Sequence, residues 1–424
     1  MPKSISKILS NEYSFAILTR IFSIFITVAQ SICVARYLGP ALKGESAYIN
    51  IIVATGGIII TFGIHEAYPY FKKKLQDNTF LSRYISLVYL IYGIYFTLSL
   101  ALCFWFPTAD IQAAILLMPL AGYARVVNYV HLVENPNKRN ITTLSISFIT
   151  LIVSIILIIL TSANFYWMIL LLMITHLLQA IIFTYLLRCK PIYDKTSLGL
   201  AKELFRFGFF PMIALLMTTL NYKVDILMLK QYNYITYAMI GVYSLGIGLV
   251  DIIVIIPDTL KGVLVSKLSK GAATNEVAKV CRCCMASSII LFFIILILGR
   301  WAIRLFYGEP YINAYEVVII TAIGIIFIGY FKLIAQYNIV NGKQIRNVVL
   351  LAAAVVTNAI GNLLLVPRLG INGAAVATSL GNSVCGILFV ISFTRETHTP
   401  IKDMVLIKKS DLSLLKNMVV KKQQ

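Results

Sequence analysis

Residues 34–66, VARYLGPALKGESAYINIIVATGGIIITFGIHE, hold one complete turn between two apolar runs, and most of the chain repeats that pattern. An apolar segment ends at Ala35, a polar turn follows, and a second apolar run begins near Ala47. Gly39-Pro40 is a breaker pair, because proline has no donor N–H and glycine takes backbone angles that other residues avoid. Arg36, Lys43 and Glu45 put the turn in water. The stretch predicts a hairpin of two membrane-length helices.

Composition agrees with that hairpin. The 424 residues are 59% hydrophobic and 13% charged, and mean hydropathy is +0.86; a soluble domain carries about a quarter of its residues as charges. A net charge of +20 would suit nucleic acid if it were gathered in one domain. The basic residues sit instead in short segments between apolar runs, which excludes that partner. Seven cysteines (Cys33, Cys103, Cys189, Cys281, Cys283, Cys284, Cys385) form no even framework, so no disulfide is expected. Cys281, Cys283 and Cys284 lack a second cluster or a nearby histidine, so no metal is expected either. The basic start with Lys3 and Lys7 precedes a run that Arg20 interrupts and no small-residue cleavage site follows, which predicts an uncleaved first helix.

Apolar runs long enough to cross the hydrocarbon core fall near 13–35, 46–65, 80–104, 111–131, 141–161 and 166–187, and again near 208–229, 238–258, 284–306, 314–337, 346–366 and 371–393. With the N-terminus inside, 27 of the 37 lysines and arginines lie on the inner side and 6 outside. The positive-inside bias therefore places both termini in the cytoplasm. Trp105, Trp167 and Trp301 fall at outer helix ends, where indoles prefer the interface.

The halves resemble each other. Gly241-Val242-Tyr243 answers Gly44-Glu45-Ser46, and Arg346-Asn347 answers Arg139-Asn140. Six helices per half return the chain to its starting side, so the repeats are parallel. The expected fold is an all-α polytopic membrane protein with about twelve transmembrane helices in two parallel-repeat six-helix lobes around a central cavity. The expected division is an N-terminal lobe at 1–187, a cytoplasmic linker at 188–207 with Pro191, a C-terminal lobe at 208–394 and a basic cytoplasmic tail at 395–424.

Several motifs, in order and spacing, carry a family resemblance. Tyr37-Leu38-Gly39-Pro40 followed by Gly44 resembles the first hairpin of oligosaccharide (O-antigen and polysaccharide, Wzx-like) flippases of the MOP transporter superfamily, although Ser46 stands where that family usually has an aromatic. Gly241-Val242-Tyr243-Ser244, then Pro257 and the basic stretch 261–270, is similar to their eighth helix. Residues 221–229 (NYKVDILML) resemble the seventh. Asn341-Gly342-Lys343, Asn358, Asn362, Val366-Pro367, Gly370, Gly373-Ala374-Ala375 and Ala377-Thr378 resemble the eleventh and twelfth. The resemblance covers most of 10–393. It implies that a lipid-linked saccharide is moved across the bacterial inner membrane by alternating access of two lobes.

Charges inside the apolar runs supply candidate sites, since each costs about 2.5–3.5 kcal/mol at a helix centre on insertion scales. Arg20, Arg125, Lys223 and Lys332 are the basic ones, Asp225 and Asp251 the acidic ones, with Glu66 and Glu316 near helix ends. Such a residue faces a polar cavity, meets a partner, or snorkels to the interface. Arg20 and Arg125 lie about two turns from inner ends and read as cavity residues holding an anion, guanidinium being the donor fork that fits phosphate. Lys332 divides between cavity and interface, and Lys223 favours snorkelling. His65 and His131, at inner helix ends, complete the cavity candidates, with packing as their alternative account. Asp251, well inside the eighth helix, pairs, stays protonated or binds a coupling cation; Asp225 is a second coupling candidate or a cap on an outer vestibule. Gln30, Asn128, Gln179, Asn338 and Asn358 offer hydrogen bonds to hydroxyls.

The expected function is a flippase for polyprenyl-pyrophosphate-linked oligosaccharide, not an enzyme, working with membrane lipid and with other polysaccharide-assembly proteins. It would use no cofactor, and coupling would come from a proton or sodium gradient. Three competing classes stand beside it. A cation-coupled multidrug exporter of the same superfamily would have the same fold, but such exporters tend to place acids in the N-terminal lobe, where this chain has buried arginines. A membrane glycan polymerase would be expected to have a large outer loop with catalytic groups, and the outer loops here are short. An ATP-driven pump would need a phosphate-cradling glycine loop, which the sequence lacks.

Overall fold

The computed structural model describes residues 12–75, 77, 79–192, 196–268, 274–406 and 408. Residues 1–11, 193–195, most of the tail beyond 406 and the side chain of Arg20 lie outside that description. Helices make the whole architecture, with no strand among the described residues: α1 (Glu12–Thr61), α2 (Ile64–Leu75), α3 (Phe80–Cys103), α4 (Ala109–Glu134), α5 (Pro136–Leu160), α6 (Phe165–Leu187), α7 (Thr196–Leu229), α8 (Tyr237–Leu268), α9 (Thr274–Phe306), α10 (Ala314–Val340), α11 (Gln344–Thr397) and the short α12 (Lys402–Val405).

Two of these are too long for one crossing. α1 has 50 residues and α11 has 54, so each would reach about 75–80 Å if straight, against a hydrocarbon core of about 30 Å. Each breaks at a single glycine, Gly39 (φ 70°, ψ 173°) and Gly370 (φ 58°, ψ −134°), in backbone settings that disfavour a Cβ. The breaks turn ten long apolar stretches into twelve apolar passages among the described residues. The chain is a multi-pass membrane protein. Large apolar side chains such as Phe25, Ile159 and Ile297 stand exposed along the spans, which suits helices surrounded by lipid.

The chain divides into two compact units, Met1–Leu216 and Met217–Gln424, with the boundary inside α7. In unit 1, Tyr68, Phe80, Tyr84, Val88, Val130 and Leu204 form one core cluster, and Leu38, Ile49, Val53, Leu117, Trp167 and Met168 another. In unit 2, the main cluster gathers Leu264, Val277, Cys281, Ile328, Phe331, Phe389 and Met404. Met404 belongs to a segment that returns to the unit after α11. Its side chain is fully buried, its carbonyl accepts from the Tyr330 hydroxyl at 3.1 Å, and the Asp403 carbonyl accepts from Arg282.

Several boundaries differ from the sequence expectation. α7 begins at Thr196 instead of 208, α8 runs to Leu268 instead of 258, and α9 begins at Thr274 instead of 284. Hydropathy marks only what the membrane selects, whereas the Lys, Glu, Leu and Ala of these polar ends are strong helix formers. Residues 196–207, expected in the linker, therefore belong to α7. Trp167 is buried, 5.4 Å from the Tyr37 ring, and so serves the core instead of the interface; Trp105 and Trp301 are exposed. A further break, between α1 and α2, had no foreshadowing. Phe62 (φ 47°) and Gly63 (φ 68°) both leave the helical region there, and Gly63 lies against the backbone of Gly208 with no room for a Cβ on either.

Candidate functional site

Unit 1 contains a cavity of about 390 Å³ lined by Asn50, Val53, Ala54, Ala121, Arg125, Asn128, Tyr129, Arg139, His176 and Gln179. Helical spacing puts these residues on inward faces. Asn50, Val53 and Ala54 follow i, i+3, i+4 on α1; Ala121, Arg125, Asn128 and Tyr129 follow i, i+4, i+7, i+8 on α4; His176 and Gln179 are three apart on α6. α1 and α4 approach closely because Gly57 faces Gly122, where a Cβ on Gly57 would lie 3.6 Å from the Gly122 nitrogen.

The lining holds two guanidiniums and no carboxylate. Arg139 Nε donates to Asn128 Oδ1 at 2.8 Å, which ties the first turn of α5 back to α4. Arg125 makes no hydrogen bond or ion pair with a described residue and projects into the cavity from about 13 Å inside the C-terminal end of α4. Tyr129 donates to Glu66 Oε2 at 2.6 Å, so that nearby carboxylate is engaged behind the wall. His65 is buried with its ring 5.2 Å from that of Tyr129, one layer behind the cavity. The arrangement is a cationic pocket with amide and phenol groups around it, able to hold an anion and hydrogen-bond to hydroxyls.

Not every expected cavity residue is there. His131 is buried with Nε2 2.8 Å from the Phe183 carbonyl, and it fastens α4 to α6. Lys332, in unit 2, has its Nζ 2.7 Å from Asp258 Oδ1 and 5.8 Å from the centre of the Tyr222 ring. Arg20 lies on α1, its side chain outside the described residues. Of the amides singled out from sequence, Asn128 and Gln179 line the cavity. Gln30 donates to Ser154, Asn338 to Asn347, and Asn358 belongs to the cluster described next.

Asp225 is fully buried in unit 2, so it caps no vestibule. Asn362 Nδ2 donates to Oδ1 and Thr378 Oγ1 to Oδ2, each at 2.7 Å. The Tyr243 hydroxyl lies 3.0 Å from Thr378 Oγ1, and Asn362 Nδ2 also reaches Asn358 Oδ1 at 2.5 Å. The site comes from three i, i+4 pairs: Asn221 with Asp225 on α7, and Asn358 with Asn362 and Thr378 with Asn382 on α11. Asn221 Oδ1, Asn362 Oδ1 and Asn382 Nδ2 are buried there without a hydrogen-bond partner. Neutral donors alone hold the carboxylate, with no ion pair to a described base. Asp251, expected to be buried, is exposed on unit 2 and lies within electrostatic range of Lys223, Lys332 and Asp258.

Sequence reading missed Arg139 and His176 as cavity residues. Arg139 was hidden in a basic loop motif, yet its equivalence with Arg346 was a signal that it belongs to a helix. His176 and Gln179 form a polar i, i+3 pair in an otherwise apolar helix, which marks one face as wet or packed against polar groups.

No protein-family model matches the chain, and no curated protein matches it. Among solved structures, the lipid II flippase MurJ in an inward closed conformation matches with a TM-score of 0.74 at 17% identity, over 96% of this chain and 92% of that one. An inward-facing multidrug resistance MATE family transporter of the MOP superfamily matches at 0.66 and 13% identity, over 90% and 98%. A MOP superfamily transporter from Pyrococcus furiosus, described as having a binding pocket of reverse polarity, matches at 0.57 and 10% identity, over 94% and 98%. What these structures share with the chain is the fold, an all-helical multi-pass membrane architecture of the kind found in transporters of the MOP superfamily.

Proposed function

We propose that this protein flips a polyprenyl-pyrophosphate-linked oligosaccharide from the cytoplasmic to the outer leaflet of a bacterial inner membrane, by alternating access, in the assembly of O-antigen or another surface polysaccharide. The observation that carries the reading is the unit 1 cavity, with Arg125 and Arg139 in its lining and no carboxylate. A phosphate oxygen there would accept charge-assisted bonds worth about 1.5–3 kcal/mol each. A volume of about 390 Å³ suits a pyrophosphate and adjoining sugar, small-molecule sites spanning about 300–1,000 Å³. The lipid chain would stay in the bilayer. An exporter of cationic drugs fits this cavity poorly, because two guanidiniums repel a cation. On this reading both termini lie in the cytoplasm, the units act as the two lobes, and Asp225 is the leading residue for coupling. An enclosed carboxylate with no basic partner is the kind of group that a proton or sodium ion neutralises.

The test is complementation of a strain lacking its own flippase, with protein abundance checked for each variant. Arg125→Gln is expected to abolish surface polysaccharide, and Arg125→Lys to lose most of it, because lysine keeps the charge but not the paired donors. Full activity of Arg125→Gln would remove the cavity from the substrate path.

A further inference from the structure

Two adjacent residues of α4 in the unit 1 cavity, Asn128 and Tyr129, have their hydrogen-bond directions set by their partners. Arg139 Nε donates to Asn128 Oδ1 at 2.8 Å. A guanidinium has no acceptor, so a rotated amide would set N–H against N–H; Asn128 therefore offers a ligand its Nδ2 donor. Tyr129 donates to Glu66 Oε2 at 2.6 Å. A carboxylate only accepts, so the single phenol proton is committed and the Tyr129 oxygen is left as an acceptor. That oxygen accepts from no described residue.

Glu66 is placed by the break that precedes it. It lies in the first turn of α2, directly after the positive-φ pair Phe62 and Gly63, and its N–H donates to the Gly63 carbonyl at 3.0 Å. Its other oxygen is 3.8 Å from Nε2 of His65, whose ring stands 5.2 Å from that of Tyr129. The phenol is thus braced by an imidazole on its ring and a carboxylate on its hydroxyl.

The consequence for a ligand is a division of the wall. A pyrophosphate oxygen, which only accepts, finds donors at Arg125, Arg139 and Asn128. At Tyr129 it meets a lone pair with a carboxylate behind it. That position suits a group that donates and carries no negative charge. When phosphates occupy the arginines, the nearest such group on the substrate is a hydroxyl of the first sugar.

We propose that Tyr129 is a specificity-determining residue that accepts a hydrogen bond from a hydroxyl of the sugar next to the pyrophosphate, with Glu66 as its positioning residue. The subsite rests on the flippase reading and deepens it. Arg125 and Arg139 hold the phosphates, and Tyr129 tests whether a sugar is attached.

The experiment measures binding to the full chain in lipid nanodiscs with two probes, bare polyprenyl pyrophosphate and polyprenyl-pyrophosphate-linked monosaccharide. The wild type should bind the glycosylated probe about tenfold more tightly, the ratio that about 1.4 kcal/mol provides. Tyr129→Phe keeps the ring against His65 and removes the oxygen, and it should bring the ratio close to one. The Glu66 side chain is 35% exposed, so water can replace the lost phenol. Glu66→Gln offers the phenol both a carbonyl and an N–H, so the direction is no longer imposed and the ratio should fall to about threefold. In the Tyr129→Phe background, Glu66→Gln should leave the ratio where it is, because it acts only through the phenol. A wild-type ratio of one, or a ratio that survives Tyr129→Phe, overturns the subsite and leaves the flippase reading intact. Weakening of both probes alike, up to complete loss, overturns it too, since the residue would then serve the carrier or the packing. A ratio untouched by Glu66→Gln, or lowered by it without the phenol, overturns the positioning role. If the wild type binds neither probe, the flippase reading fails and the subsite with it.

Discussion

Gly63→Ala should be among the most damaging single-methyl changes in the protein, and Gly342→Ala supplies its control. Both glycines have nearly the same positive φ, 68° and 72°, so alanine meets the same kind of backbone penalty at each, about 1–2 kcal/mol. Their surroundings differ. Around Gly342 a Cβ would find nothing within 4 Å, whereas at Gly63 it would overlap the Gly208 carbonyl oxygen, lie 2.8 Å from that carbonyl carbon and 3.0 Å from the Met212 nitrogen. Ordinary contact begins near 3.4 Å, and the opposing atoms are backbone, which cannot rotate away. The start of α2 and α7 must then separate, an overpacking strain of about 1–3 kcal/mol. Gly63→Ala should therefore cost about 2–5 kcal/mol in total and Gly342→Ala about 1–2. The two variants are compared by the midpoint of unfolding in detergent, read by tryptophan fluorescence and by the monodisperse fraction after heating. Equal midpoints would refute the claim that the Gly63–Gly208 crossing is closed. A function-only loss at normal stability would refute it as well.

Two further outcomes follow from the reading of the chain. A reporter active only outside the cytoplasm should give signal when fused after Ala109 or Pro367 and none after Asn137 or at the C-terminus; signal from the C-terminal fusion would overturn the orientation. Asp225→Asn should remain folded, since Thr378 can turn its hydroxyl to accept from the new amide, but transport in proteoliposomes should lose its response to an imposed proton or sodium gradient. Asp225→Ala should unfold more readily, because it removes two buried hydrogen bonds, from Asn362 and Thr378, at about 0.5–1.5 kcal/mol each. Unchanged gradient dependence in Asp225→Asn would assign coupling elsewhere.

The spans were legible because membrane insertion is decided by length and apolarity, and residues 34–66 carry both signals plainly. Gly39-Pro40 marked the first break to the residue. The break at 62–63 was invisible because Phe62 adopts a positive φ, a choice that only the tertiary fit of α2 and α7 explains. Arg125 was recognisable from its cost in an apolar helix. Asp225 and Asp251 were read with their environments exchanged, one as a cap and the other as buried. Charge alone tells that a carboxylate needs compensation. Whether Asn362 and Thr378 arrive to enclose it depends on two halves of α11 meeting α7, which no local pattern records.

The return of Met404 into unit 2 has a consequence for how the protein is made. Its cluster partners Leu264, Val277, Phe331 and Phe389 all precede it in the chain, so they leave the ribosome while their pocket is still vacant. Unit 2 thus cannot complete its packing helix by helix during insertion. The last stitch is made from the aqueous side, after the final span is in place, and until then the half-built unit presents an apolar opening that a chaperone or protease can read as unfinished.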